Sequence, residues 1–359
     1  MSSMNMKDGM NYAPLSKPEP VVKPGEYCFA AVSLDHGHIY GMCNGLVGAG
    51  ATLKWVYDPD PNKVDAFVAR YPGVKSARDL DEILNDPHIQ LVAAAAIPNV
   101  RASLGIRVME AGKHYFTDKG PFTTLEQLDQ VKQVYAKTNK KYAVYYSERL
   151  HVESAVYADQ LIKQGAIGRV VQMIGLGPHR LNAPSRPDWF FRKEQYGGII
   201  ADIATHQIEQ FIYFSGNNDA KVISSTVANY NNKKYPELED FGDVHIIGTN
   251  GATGYVRVDW LTPDGLRTWG DGRTVLLGTE GFIELRKYVN IASGEGGEHV
   301  FLVNQKGEQH IQASGLTGYP YFGQLILDTL HETEYAMTQE HVFKVSELTL
   351  LAQKNAIII

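Results

Sequence analysis

Apolar and polar positions follow one rhythm in the first part of this chain and another in the rest. From Tyr27 onward, short apolar runs are separated by segments with helical spacing: CysPheAlaAlaValSer at 28–33, a helix over 38–49, LeuLysTrpValTyrAsp at 53–58, a helix over 61–71, and LeuValAlaAlaAlaAla at 91–96. The rhythm continues through LysHisTyrPheThr at 113–117 and LysTyrAlaValTyrTyr at 141–146, which sets a first domain over residues 27–147. Strand and helix in alternation build a parallel, doubly wound sheet, so this part is α/β.

After a helix over 151–165 the pattern turns β-rich, with ValValGlnMetIleGlyLeu, ValIleSerSerThrVal, AspValHisIleIleGly, GlyTyrValArgValAspTrp, ThrValLeuLeuGly and PheIleGluLeuArg following in order. AsnGly at 250–251 is hairpin punctuation. Residues 148–359 are therefore predicted to form an α+β domain, a mostly antiparallel open sheet with helices. Amphipathic helices near 321–338 and 345–355 close the chain, the second a candidate to pack back on the first domain. Residues 1–26 show no period, and ProLeuSerLysProGluProValValLysProGly at 14–25 favours extended backbone, so a flexible Pro-rich arm is expected. The alternative is an arm that packs across a neighbouring subunit.

Composition narrows the function classes. A chain of 359 residues exceeds what one core usually serves, which agrees with two domains. A net charge of -6 offers no basic surface for nucleic acid. Cys28 and Cys43 are too few for a disulfide framework and lack metal-ligand spacing. Neither a membrane-length apolar run nor an apolar signal core is visible, and the expected location is cytoplasmic.

The chemistry concentrates in GlyGlyIleIleAlaAspIleAlaThrHisGln at 197–207. In a helix, Asp202 and His206 share a face, placing a carboxylate and an imidazole in the same space. Gly197 and Gly198 suit a tight turn or a close approach to a flat ligand. The plain alternative is an amphipathic helix whose histidine pairs locally. Beside this run stand AlaGlyLysHis-x3-AspLys at 111–119, AspLysGlyPro at 118–121, Pro98 and Asn99, GlyAlaIleGlyArgVal at 165–170, and ThrGluGlyPheIleGlu at 279–284. Together these motifs resemble the Gfo/Idh/MocA family, the relatives of glucose-fructose oxidoreductase and inositol dehydrogenase, from about Tyr27 to about Lys354. The resemblance implies a Rossmann-like dinucleotide-binding domain first. It implies a substrate-binding domain second, whose sheet joins subunits into a homodimer or homotetramer.

The nucleotide motif itself departs from the pattern. Gly-x-Gly-x-x-Gly is absent, and Ser33, Asp35 and His38 stand where the three glycines would be, with His36 and Gly37 between. Asp35 is expected to cap the following helix, and His36 and His38 to donate to phosphate unless they are only turn and surface residues. Asp58, closing the second strand, suits the ribose hydroxyls and disfavours a 2′-phosphate, so NAD is preferred to NADP; its alternative is turn formation with Pro59 and Asp60. By resemblance Pro98 and Asn99 lie along the nucleotide. A metal held by AspHisGlyHis with His179 or His206 is the minor reading, and no metal is expected.

Oxidising a secondary alcohol needs a group to take the hydroxyl proton and positive charge for the developing alkoxide. By resemblance Lys119 is the lysine of the family's Glu-Lys-Pro, altered here by the inserted Gly120. With His206 it fills those two jobs, Asp202 orienting the histidine or binding a hydroxyl; which of the two is the base stays open. Trp189 offers a sugar ring an apolar face, and His179, Arg180, Asn182 and Asp188 offer hydroxyl-directed hydrogen bonds. Arg180, Arg186 and Arg192 leave an acidic or phosphorylated sugar open. The expectation is an NAD-dependent oxidoreductase interconverting hydroxyl and ketone on a sugar, glycoside or cyclitol. The alternatives are an NAD-retaining enzyme that cleaves glycosides by transient oxidation and elimination, and a non-enzymatic nucleotide or sugar sensor.

Overall fold

The computed structural model describes residues 7–14, 19–294 and 296–359. They form two compact units: Met10–Tyr145 with Gly318–Phe343, and the residues up to Gly9 with Tyr146–Thr317 and Lys344–Ile359.

In the first unit, six strands alternate with helices: β1 (Cys28–Val32), α1 (His38–Gly48), β2 (Thr52–Tyr57), α2 (Pro61–Arg70), β3 (Lys75–Ser76), α3 (Leu80–Leu84), β4 (Ile89–Ala94), α4 (Arg101–Glu110), β5 (His114–Asp118), α5 (Leu125–Thr138) and β6 (Tyr142–Tyr145). The sheet is wholly parallel in the order β3-β2-β1-β4-β5-β6. Its centre is apolar on both faces, as in β4, where Leu91 to Ala94 are all buried. Local chemistry starts the helices: Asp60 caps α2 ahead of Pro61, Asp79 caps α3 and Thr124 caps α5. The order reverses between β1 and β4, so the loops after β1, β4 and β5 emerge together at the carboxyl edge.

Three expectations change here. The helix expected over 321–338 is α10 (Pro320–His331); it ends where Glu332 turns left-handed and the Asp328 carboxylate accepts from Thr333, Tyr335 and Ala336. This helix lies in the first unit, with the Phe322 ring filling the space above Gly45, where a Cβ would come within 2.2 Å of it, and the start of the last helix lies there too, Gln339 bonding the Tyr142 backbone. The last helix, α11 (Gln339–Lys354), enters the second unit from Lys344 onward. The flexible arm is also corrected where it is described: Ala13 is fully buried, Pro14 accepts from Asn44, and Val21 donates to the Ala49 carbonyl. In the second unit the Lys7 carbonyl accepts from Arg180, and Gly9 packs on Trp269. Residues 1–6 and 15–18 of that arm lie outside the described residues.

The second unit runs through α6 (Ser147–Leu150), α7 (Glu153–Lys163), β7 (Val170–Pro178), α8 (Lys193–Tyr196), a π-helical turn at Ile200–Ala204, α9 (Thr205–Phe214), β8 (Ala220–Ala228), β9 (Phe241–Gly248), β10 (Thr253–Asp259), β11 (Arg273–Gly278), β12 (Gly281–Arg286), β13 (His299–Asn304), β14 (Gly307–Gln312) and β15 (Ile357–Ile358). The nine-stranded sheet has the order β14-β13-β12-β11-β7-β10-β9-β8-β15 and is antiparallel except where β7 meets β10 and β8 meets β15. One face is buried, with Val244, Val256, Met173, Leu276 and Ile283 facing inward. The other stays open: Leu277 and Phe282 pair across β11 and β12 as exposed apolar side chains, and Ile247 is a third on β9. The edge strand β14 is polar and exposed and lacks the apolar alternation of its partner β13. Among the described residues no helix is long and apolar enough to cross a membrane.

Candidate active site

At the carboxyl edge of the parallel sheet, the loop after β1 holds its shape without glycine at the three motif positions Ser33, Asp35 and His38. Ser33 takes the left-handed conformation (φ 52) that the first glycine would otherwise supply. Its N–H donates to the Tyr57 carbonyl at 3.1 Å, its carbonyl accepts from Ala95 at 3.2 Å, and His36 N–H donates to the Ala95 carbonyl at 3.0 Å. The loop is thereby tied to the ends of β2 and β4. Asp35 does not cap α1. The N-cap is Gly37 with no side-chain cap, and Asp35 instead accepts from Lys63 Nζ at 2.6 Å. The His36 ring takes the local duty, its Nδ1 accepting from the His38 N–H at 3.2 Å.

Asp118, at the end of β5, gathers this loop. It is fully buried, lies 2.8 Å from His38 Nδ1 and 3.5 Å from His36 Nδ1, and accepts from the Lys119 N–H at 2.7 Å. Arg101 donates to the carbonyls of Ala96, Lys119 and Gly120 and reaches Asp118 at 3.3 Å. Burial opposes ionisation of Asp118, yet the charges of His38 and Arg101 hold its carboxyl well below the usual range. Burial, reinforced by His38, keeps the His36 imidazole well below its usual range. The ligand atoms of His36, His38 and Asp118 lie within 4.8 Å of one another. Their donor set is nonetheless spent on internal hydrogen bonds and on the Arg101 ion pair, and a dication there would sit beside a guanidinium.

Asp58 forms the turn, one oxygen accepting from Asp60 N–H at 2.9 Å, while the other accepts from Leu34 N–H of the loop after β1 at 2.6 Å and Lys63 Nζ stands 3.8 Å away. Pro98 and Asn99 form a single 3-10 turn, with the Asn99 carbonyl accepting from Gln127. Lys119 is 5% exposed, and the inserted Gly120 adopts φ 66, so the added residue is absorbed in a left-handed turn.

In the second unit, Gly197 and Gly198 turn with φ 88 and φ 100 into the π-helical turn, which precedes α9. Asp202 lies in that wider turn and His206 in α9, so the simple four-residue helical spacing read from the sequence is relaxed between them. Both are buried. Arg186 stacks over Phe190 at 4.7 Å and Trp260 at 5.1 Å; burial lowers its pKa to about 10, against the pull of Asp8 and Asp202. His179 Nδ1 donates to the Gly177 carbonyl at 3.0 Å, and its ring lies 5.2 Å from Trp260 and 4.5 Å from Trp269.

Other residues expected at the substrate have structural work. The Arg180 guanidinium donates to the carbonyls of Lys7, Pro263 and Leu266 and meets Asp264, so its donors hold the loop together. Asn182, at φ 45, donates to Ser185 and is exposed, as is Asp188. Trp189 is half-buried against Phe190, and Arg192 pairs with Glu237. Sequence reasoning missed Trp260, Trp269, Glu148 and Lys287, which reach His179 and α9 only through the fold.

Residues 40–146 match a family model described as an oxidoreductase family with an NAD-binding Rossmann fold, and residues 156–284 match one described as the GFO/IDH/MocA C-terminal domain. A solved chain from Erwinia carotovora atroseptica SCRI1043, described no further than as an oxidoreductase, is 50% identical, with 93% of this chain and 100% of that one covered at a TM-score of 0.90. The scyllo-inositol 2-dehydrogenase (NAD(+)) of Bacillus subtilis is 28% identical over 69% of this chain and 71% of its own length. The D-xylose dehydrogenase of Paenarthrobacter nicotinovorans is 27% identical over 40% of this chain, a match spanning only 38% of that protein.

Proposed function

This chain belongs to the Gfo/Idh/MocA oxidoreductase family, and from that premise we propose that it is a nicotinamide-dependent dehydrogenase interconverting a secondary hydroxyl and a ketone on a sugar, glycoside or cyclitol. One observation carries the reading: buried Lys119 stands at the carboxyl edge of the parallel sheet, its backbone fixed by Asp118 and Arg101, in the unit where α1 begins without a side-chain cap. An uncapped helix start with a left-handed residue before it fits a pyrophosphate, so Ser33, His36, Gly37 and His38 would hold that part of NAD. Asp58, Pro98 and Asn99 would face the nucleoside portions. Bound NAD would supply the hydride acceptor.

The protein's share is charge and proton handling. Lys119 Nζ stabilises the oxygen that gains negative charge, and a His206 ring nitrogen exchanges the hydroxyl proton, with Asp202 orienting it. In the second unit, His179 and Arg186 join Trp189 as the groups that would contact substrate hydroxyls and ring carbons. The names of the D-xylose and scyllo-inositol relatives support that substrate class. Lys63, between Asp35 and Asp58, favours a second reading of the cofactor alone, since its ammonium would also suit a 2′-phosphate. The open apolar face of the nine-stranded sheet supports a homodimer or homotetramer, and the two free cysteines fit a cytoplasmic location.

The test is a panel of sugars, cyclitols and glycosides offered with NAD and with NADP, scored by reduced-cofactor absorbance and by product mass. Lys119→Ala and His206→Ala should each lower turnover by about a hundredfold while the protein stays folded. Near-normal turnover in either variant at saturating substrate would remove that residue from the chemistry, and cleaved glycoside without net cofactor reduction would replace simple oxidation with elimination.

A further inference from the structure

We propose that Glu148 is a positioning residue, a buried counter-charge packed against α9 that makes His206 and His179 readier to take up a proton. The inference rests on the dehydrogenase reading for its use, though not for its electrostatics. Glu148 lies on the short helix α6 and is 2% exposed. Its Oε2 accepts from Gln207 Nε2 at 2.9 Å and from Lys287 Nζ at 2.9 Å. Gln207 adjoins His206 in sequence and lies flat on β7, where a Cβ on Gly175 would come within 3.0 Å of it and one on Gly177 within 2.6 Å. Lys287 has no exposed side-chain surface and also donates to Gln210 at 2.9 Å.

Pinning α9 uses one carboxylate oxygen, Oε2, for both the Gln207 and the Lys287 contacts. Glu148 Oε1 is buried with no hydrogen-bond partner among the described residues, an arrangement that costs free energy and so argues for a use of the charge itself. Burial raises the Glu148 pKa, but Lys287, then His206 and His179, outweigh it and bring it to about 2. Electrostatic coupling is reciprocal, so the carboxylate that the imidazoles stabilise also stabilises their protonated forms. Among the described residues the other charged groups on the elements that meet here are Lys287 after β12, the mutually paired Arg149 of α6 and Glu209 of α9, Asp202 in the π-helical turn, and Arg186, which is influenced by both Asp8 and Asp202. Lys287 opposes the effect of Glu148, whereas Asp202 reinforces it.

The experiment follows the imidazole ring carbons of His206 and His179 by NMR from about pH 5 to about pH 9 in the full chain, alongside turnover. Glu148→Gln should lower both titration midpoints by about one unit, a tenfold loss of proton affinity, and Glu148→Asp should restore most of it. Lys287→Gln should move the midpoints upward, an opposite sign that loosened packing would not produce, and this variant carries the test if Glu148→Gln fails to fold. Midpoints that stay put in both variants, or rise in Glu148→Gln, overturn the proposal. Midpoints that fall while the acid limb of turnover stays fixed uphold the counter-charge and count instead against His206 as the proton carrier.

Discussion

Arg101 in the first unit and Lys287 in the second are buried cations among the candidate site residues, and the two are used differently. Arg101, 1% exposed, spreads its planar fork over the Ala96, Lys119 and Gly120 carbonyls and the Asp118 carboxylate, so it fixes backbone. Lys287 is a point charge shared by two side chains, Glu148 and Gln210, so it fixes charge next to α9. The difference teaches how the nucleotide side tolerates the loss of its glycines. Where an arginine and cross-strand backbone bonds hold the loops, side-chain identity at the turn matters less than the carbonyl positions. Among the described residues no arginine clamps backbone carbonyls beside α9, and the geometry there depends on side-chain pairs buried between helix and sheet.

The sharpest way to break this comparison is Arg101→Met. It leaves three carbonyls without their donor and Asp118 without its strongest fixed cation, which should cost about 3–5 kcal/mol in urea unfolding. Arg101→Lys keeps a charge and loses the fork; it should recover less than half of that loss. Full recovery by lysine would show that charge, not fork geometry, is what the loops require, and the contrast with Lys287 would collapse.

The same contrast explains what could be read from the sequence. The parallel sheet was legible because its strands are continuous apolar runs between amphipathic helices, and the position of His206 was legible because a helix carries it. The hairpin β13–β14 was not, because GlyGluGlnHisIleGln gives β14 no apolar alternation and the strand pairs only along an exposed edge. Asp35 misled for a different reason: an Asp just before a helix reads as a cap, and only the fold brings Lys63 of α2 within 2.6 Å of it. Arg180 looked like a substrate ligand because its three carbonyl partners lie far off in sequence, at Lys7, Pro263 and Leu266. Glu148 and Lys287 sit 139 positions apart, and no local spacing could have joined them.

A buried carboxylate that has a cation can be compared with a half-buried one that has none among the described residues. Asp118 is held well below the usual range by His38 and Arg101, against its burial. Glu298, left-handed at φ 63, accepts from Ser154 N–H at 2.6 Å, yet burial first and then Glu153 raise its pKa to about 7. Because the folded value exceeds the unfolded one, this group's contribution is fully present below about pH 4.5 and is lost as pH rises through about 7. The loss should be at most about 3 kcal/mol, and less where water reaches the carboxyl. Thermal midpoints compared at about pH 5 and about pH 8 should differ less in Glu298→Gln than in the unaltered chain, all else being equal. An unchanged difference would place the pH dependence on other groups.

The smallest expected effect probes the turn at Ser33 itself. Ser33 adopts φ 52 with its backbone bonded to both Tyr57 and Ala95, so the turn is imposed by the ends of β2 and β4 and not by local preference. A non-glycine residue there costs roughly 1 kcal/mol, and Ser33→Gly relieves that strain while adding backbone freedom to the unfolded chain. The two terms nearly cancel, so Ser33→Gly should gain no more than about 0.5 kcal/mol, and NAD affinity measured by calorimetry should stay within about twofold. Ser33→Val, with a branched Cβ in the same conformation, should instead lose about 1–2 kcal/mol. A valine variant as stable as the serine protein would mean that the loop relaxes to ordinary backbone, and the claim that backbone bonding replaces the missing glycines would fail with it.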